Sequence, residues 1–115
     1  MKPETPPEGK RTMLYILENQ KVTPVHNVLA WKQWFNTADK TIARTMLIHP
    51  DCEISTVFLG VDHRFGHGPP LIFETMIFGG DHDGYQRRYA TIQQAKEGHA
   101  QIVSALRNDL PLDSD

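Results

Sequence analysis

Residues 53–80 of this 115-residue chain read EISTVFLGVDHRFGHGPPLIFETMIFGG, and they decide the fold. Residues 54–61 and 71–78 are rich in β-branched and aromatic side chains, which predicts two buried strands. The loop between them is too short for a parallel crossover, so the two strands are expected to pair antiparallel. Both faces of both strands are largely apolar. We therefore expect helices on one face, and a second layer or a second subunit over part of the other.

The segments on either side extend this sheet. Residues 13–18 and 21–25 are β-compatible and form a first hairpin, and residues 41–48 lead through a turn into the central strand. Residues 87–90 form a short last strand. The connections are of hairpin length. The sequence predicts a single α+β domain, with a mainly antiparallel sheet of about five or six strands and two α-helices packed on it.

Two amphipathic segments predict the helices, near residues 27–38 and 91–107. Asn27 is a good N-cap for the first. This helix holds both tryptophans of the chain, which we interpret as core anchors on the sheet, with an aromatic binding wall as the alternative. Thr91 and Gln94 form a capping-box pattern at the start of the second.

The ends of the chain look different from its centre. Residues 1–11 contain three prolines and no apolar periodicity, which predicts a disordered N-terminal arm. Residues 12–107 form the predicted domain, and residues 108–115 are expected to be a frayed acidic tail.

Composition narrows the class of protein. A formal net charge of −2 argues against a protein that holds nucleic acid mainly by neutralising phosphates. The single cysteine, Cys52, cannot form an intramolecular disulfide and suits a reducing compartment. No apolar run is long enough to span a bilayer, and the first residues are too polar for a signal peptide. We therefore predict a cytoplasmic protein.

The loop after the central strand is the first part of the candidate site. It places charged and titratable side chains directly after a buried strand, beside glycines that let the backbone approach a ligand. Its candidate ligand-binding residues are Asp62, His63, Arg64 and His67. Asp62 is expected to orient His63 or Arg64.

The second part of the candidate site lies on the last two strands. Glu74 sits in an apolar strand, and a carboxylate buried there needs a partner, which Arg87 or Arg88 can supply from the next strand. Arginine beside Tyr89 is a combination that phosphates and nucleotides use. The alternative is an ordinary strand with an ion-paired edge.

We predict neither a metal nor a cofactor. Six histidines are enrichment, but the chain has no HExxH motif and no paired-cysteine spacing. A second polar loop, residues 81–84, should lie at the opposite end of its strand from the first, which weakens a site built from His63, His67 and His82. We interpret His99, on the apolar stripe of the last helix, as a core histidine bonded to a backbone group.

A longer pattern carries a resemblance. STVFLGVDHRFGHGPPLIFETMIFGG, followed by RYATIQQAKEGHAQIV and preceded by YILE and VLAWKQWFNTAD, resembles an uncharacterised family of small hypothetical proteins from tailed bacteriophages and prophages. The similarity spans roughly residues 13–106. It implies a phage setting, in which small proteins interfere with host processes or assist replication, and it transfers no site residue.

Three functions compete at this stage. The leading one is a non-enzymatic phage accessory or counter-defence protein that binds a host protein or sequesters a small anionic ligand, such as a nucleotide signal. It would act as a homodimer or higher homo-oligomer in the host cytoplasm. The alternative is a metal-dependent hydrolase that uses the His63/His67 loop. The third, a virion component, is the least favoured.

Overall fold

The computed structural model describes residues 13–62 and 68–112 of the chain. It is an α+β structure with two helices and two antiparallel sheets. The elements in chain order are β1 (Leu14–Glu18), β2 (Lys21–Val25), α1 (Val28–Thr37), β3 (Thr41–Leu47), β4 (Cys52–Phe58), β5 (Phe73–Phe78), β6 (Gln86–Tyr89) and α2 (Ile92–Arg107). Both predicted helices are confirmed, with the predicted caps: Asn27 accepts from Ala30 N, and Thr91 and Gln94 form a complete capping box.

The strands do not form the single sheet that the sequence predicts. β1 and β2 make a separate two-stranded sheet, and the larger sheet has the order β3-β4-β5-β6. Within the described part of the chain the backbones of the two sheets are joined by an isolated bridge between Leu14 and Val61. Tyr15 of the hairpin also packs with Phe58 and Phe73 of the larger sheet in one buried cluster. Gly60, just before that bridge, has a positive φ of 77°, which turns the backbone out of the β4 ladder. Because the ladder stops there, the hairpin cannot continue the larger sheet.

α2 covers one face of the four-stranded sheet. Alternate residues of β4 are buried beneath it, as strand geometry requires. α2 itself buries the stripe Ala95, Gly98, His99, Ile102, Val103 and Leu106. Past its end, Leu112 packs against the same core, so this part of the predicted tail lies on the domain. The whole predicted arm, residues 1–11, and residues 113–115 of the predicted tail lie outside the described residues.

α1 packs mainly on the β1–β2 hairpin, not on the larger sheet. Trp31 Nε1 donates to the carbonyls of Tyr15, at 3.0 Å, and Gly60, at 3.2 Å. Trp34 meets the Phe58 ring edge-on at a centroid distance of 5.7 Å. Both tryptophans are anchors, as expected, but they are only half-buried and join the hairpin to the end of β4. α1 has no fully buried residue, and Leu29 is 71% exposed.

The other face of the four-stranded sheet is not covered by any described element. Met46 and Phe78 are exposed there, 62% and 48%, in one row across the sheet. The apolar second face that the sequence predicts is therefore present, and it also carries the ion pairs Arg44–Glu53 and Arg88–Glu74.

No helix in the described ranges is long and apolar enough to cross a bilayer.

Candidate functional site

β6 and α2 border a groove of about 300 Å³. β6 contributes Arg87, Arg88 and Tyr89, and α2 contributes Glu97 and Gln101, among others. The strand lies beside the helix because Thr91, the N-cap of α2, lies only two residues after the end of β6, and the chain turns back over the sheet there. The groove thus combines three predicted site residues with polar side chains of α2.

Strand alternation separates these residues onto two faces. Arg88 lies opposite Glu74 in the β5–β6 register, and its Nε is 3.0 Å from Glu74 Oε2. The Glu74 side chain is only 11% exposed. The expected partner for this carboxylate is therefore Arg88, and the pair satisfies a charge that would otherwise be costly to bury.

Arg87 points to the α2 side. Its Nη1 is 3.5 Å from Gln101 Oε1, and its guanidinium carbon is 5.6 Å from the centre of the Tyr89 ring. Among the described residues no carboxylate forms an ion pair with Arg87. Its guanidinium therefore keeps most of its donors for a ligand at the groove.

Tyr89 is part of the core more than of the surface. It is 5% exposed, so its ring does not present the open stacking face expected of it. A Cβ on Gly98 would overlap this ring, so the glycine is what lets α2 lie against Tyr89.

A buried chain of polar groups runs beneath α2, and sequence reasoning missed it. Tyr89 donates to Thr75 at 3.0 Å, Thr75 bonds Thr56, and Thr56 bonds His99 Nδ1 at 2.7 Å. His99 Nε2 bonds Thr45 at 2.8 Å. Each group in this network donates one proton if Thr56 donates to His99 Nδ1 and His99 Nε2–H donates to Thr45. In that arrangement the imidazole of His99 is neutral. His99 is a core histidine, as expected, but its partners are hydroxyls.

The environment of His99 agrees with that neutral form. Burial lowers the pKa of the imidazole from its ordinary value of 6.5. These hydrogen bonds link β3, β4, β5 and β6 to α2, beneath the residues that border the groove.

Asp62 closes the base of the loop that follows β4. Its Oδ1 accepts from Leu71 N at 3.2 Å, and its own N–H donates to the Met13 carbonyl at 2.9 Å. His63, Arg64 and His67 lie outside the described residues, as does any contact of Asp62 with them.

The loop base lies at the same end of the sheet as Tyr89, which borders the groove. Ile72 N, one residue after Leu71, donates to the Tyr89 carbonyl at 3.0 Å. The end of β6 and the start of β5 therefore bring Asp62 and Tyr89 to the same end of the sheet. Residues 81–84 follow the other end of β5, as predicted.

That opposite end holds a second cleft, of about 280 Å³. His49, Asp81, His82 and Arg107 line it, from two turns and the end of α2. His49 was not among the predicted site residues, because no residue pattern links it to His82 along the chain. Within the described ranges no group of three histidine, cysteine or acidic side chains is arranged to hold a metal.

Cys52 is a poor candidate for a nucleophile. It is buried, and burial, with a contribution from Asp51, raises the pKa of its thiol.

The chain was compared with protein-family models, with curated proteins and with solved structures, and none of the three comparisons found a match.

Proposed function

We propose that this is a non-enzymatic binding protein that takes a small anionic ligand of nucleotide type in the groove between β6 and α2. One observation carries the proposal. Arg87 borders the groove without a carboxylate partner among the described residues, whereas Arg88 and Arg44 each bond a glutamate. An arginine with free donors at a concave surface is suited to phosphate or carboxylate.

Glu97 restricts which anionic ligands the groove is suited to bind. Its carboxylate borders the same groove, where it accepts from Gln93 Nε2 at 3.0 Å. A carboxylate there disfavours a ligand that is anionic throughout and favours one that also carries N–H or O–H donors. A nucleotide has both, since its phosphate suits Arg87 and its sugar hydroxyls or base amine suit Glu97. The groove volume is at the lower end of the range for small-ligand sites.

The biological setting comes from the resemblance alone. We propose a phage accessory or counter-defence role in the host cytoplasm, in which the protein sequesters its ligand. Binding of a host protein remains the alternative prediction, and the concave, polar shape of the groove favours the small ligand. The hydrolase alternative depends on His63 and His67, and it stays a prediction.

We also propose that the chain works as a homodimer. The support is the uncovered face of the four-stranded sheet, where Met46 and Phe78 are exposed. A row of exposed apolar side chains that reaches the edge strand β3 at Met46 is typical of a surface near an interface between copies.

Ligand binding can be tested by thermal unfolding with mononucleotides, cyclic nucleotides and inorganic phosphate as probes. A nucleotide should raise the melting temperature by mass action. Arg87→Gln should weaken binding about 10- to 100-fold, because one charge-assisted interaction is lost. Arg44→Gln is the control, since Arg44 is an arginine on the other face of the sheet from the groove, and this variant should bind as the wild type does.

Two outcomes would count against the site. A nucleotide shift that survives both Arg87→Gln and Glu97→Gln places the ligand elsewhere. Stabilisation by a divalent transition metal, lost in His63→Ala, would favour the hydrolase.

A further inference from the structure

The four-stranded sheet has two edges, and they differ. β6 is four residues long and carries two arginines, which discourage pairing with another strand. β3 is seven residues long, with no proline or lysine and a single arginine. A long edge strand with few such residues is a template for strand addition. β3 is therefore the open edge of this sheet.

Hydrogen-bond alternation turns two residues of β3 outward. Phe58 N donates to the Lys40 carbonyl at 2.8 Å, which sets the alternation along β4. In the register of the pair, Thr45 then turns its backbone groups toward β4, and its neighbours Arg44 and Met46 turn theirs away. Within the described part of the chain nothing hydrogen-bonds the outward N–H and C=O groups of these two residues.

The side chains at this edge suit a dry contact. Met46 is 62% exposed, and Ile48, just past the end of β3, is 76% exposed. Arg44 is the one charged residue of β3, and its Nε bonds Glu53 of its own chain at 2.6 Å.

We infer that β3 pairs antiparallel with β3 of a second copy across a two-fold axis, with Arg44 opposite Met46 of that copy. This rests on the homodimer proposed above and names its interface. A two-fold axis presents the edge to itself, so one strand supplies both the donors and the acceptors. Of the two neighbouring registers, one sets Arg44 opposite Arg44, with like charges facing, and the other sets Met46 opposite Met46 and pairs only residues 45–47 of each β3. In the chosen register Met46 packs on the aliphatic stem of Arg44 instead.

The edge is a better interface than the uncovered face. Stacking two copies of that face would take the exposed Arg44–Glu53 pair out of water, which is costly. Edge pairing leaves the charged ends of the Arg44–Glu53 pair at the surface and places the apolar faces of the two sheets side by side. It also gives partners to backbone groups that have none within the described part of the chain.

A proline scan of the two edges tests the inference. Met46→Pro removes an outward N–H that the β3–β4 ladder does not use, so the fold should survive and the dimer should not. Gln86→Pro is the matched control, because Gln86 faces outward from β6 by the same alternation. Light scattering at micromolar concentration should give the monomer mass for the first variant and twice that mass for the second and the wild type.

Charge substitutions at the same position make the test independent of proline. Met46→Lys would face Arg44 of the second copy, and Met46→Glu would attract it. We expect the lysine variant to raise the dimer dissociation constant about tenfold and the glutamate variant to leave it unchanged or lower it. Within one copy, position 46 lies opposite Glu53, so the lysine variant should fold more stably than the glutamate variant. An effect on folding stability alone would therefore favour lysine, whereas an effect on the dimer favours glutamate.

Two outcomes overturn the inference in different ways. A wild-type chain that stays monomeric at micromolar concentration removes the proposed dimer, and the edge interface with it. A dimer that survives Met46→Pro but is lost in Phe78→Lys is held by the uncovered face, which keeps the dimer and rejects the edge.

Discussion

α1 and α2 are both capped, amphipathic helices, yet the molecule holds them in different ways. α2 buries six residues against a four-stranded sheet, whereas α1 has no fully buried residue and rests on a two-stranded hairpin. The difference lies in what each helix packs against. A cap and an apolar stripe start a helix, but its burial depends on the area of sheet beneath it. We therefore expect α2 to belong to the stable unit of the fold and α1 to a more weakly held one.

A pair of truncations should show this difference most strongly. Ile102→Ala in α2 removes a side chain that is 2% exposed, and it should cost about 2–5 kcal/mol of unfolding free energy. Leu29→Ala in α1 removes one that is 71% exposed and should stay within about 0.5 kcal/mol. Urea unfolding of the two variants checks the contrast, and equal losses would refute it.

A second test concerns how closely α2 approaches the sheet. Gly98→Ala should destabilise the protein by about 1–2 kcal/mol, because overlap with the buried Tyr89 ring outweighs the roughly 1 kcal/mol gain in helix propensity. Ala100→Gly, on the exposed face of α2, is the control and should cost about 1 kcal/mol by propensity alone. If Gly98→Ala stabilises the protein, α2 does not lie against Tyr89 as described.

The smallest expected effect is a dependence of stability on pH. Because the pKa of His99 is lowered in the folded state, the unfolded chain binds more protons as the pH falls below 6.5. The contribution of neutral His99 is thus fully present above pH 6.5 and is lost as the pH falls through the folded pKa. Unfolding midpoints at about pH 7.5 and about pH 5.5 should differ less in His99→Leu than in the wild type. If the two midpoints differ by the same amount in His99→Leu as in the wild type, protonation of His99 is not coupled to unfolding.

The elements that local sequence controls were predictable. Asn27 and Thr91 each accept a hydrogen bond from a backbone N–H only three residues later. A short stretch of sequence therefore contains both partners and predicts where each helix begins. The Glu74–Arg88 ion pair was also predictable in part. A buried carboxylate needs a cationic partner, and the next strand offers only Arg87 and Arg88.

The features set by long-range packing were not predictable. His99 bonds residues 43 and 54 positions away, and no local pattern shows which threonines the register will place beneath it. The split of the sheet at Gly60 depends on that residue's backbone conformation and on the two aromatic rings packed over it. Tyr89 alternates with Arg88 along β6, but the sequence does not say which face of an edge strand the last helix will cover.

Native-state hydrogen exchange tests the central contrast most directly. Amides of β4, β5 and α2 should exchange only by global unfolding, because they are bonded within the buried core. Amides of α1 should exchange by local opening, at a free energy lower by about 2 kcal/mol or more, because α1 is held by half-buried aromatic contacts. If α1 and α2 exchange with the same free energy and the same denaturant dependence, the chain is one cooperative unit and α1 is not held more weakly than α2.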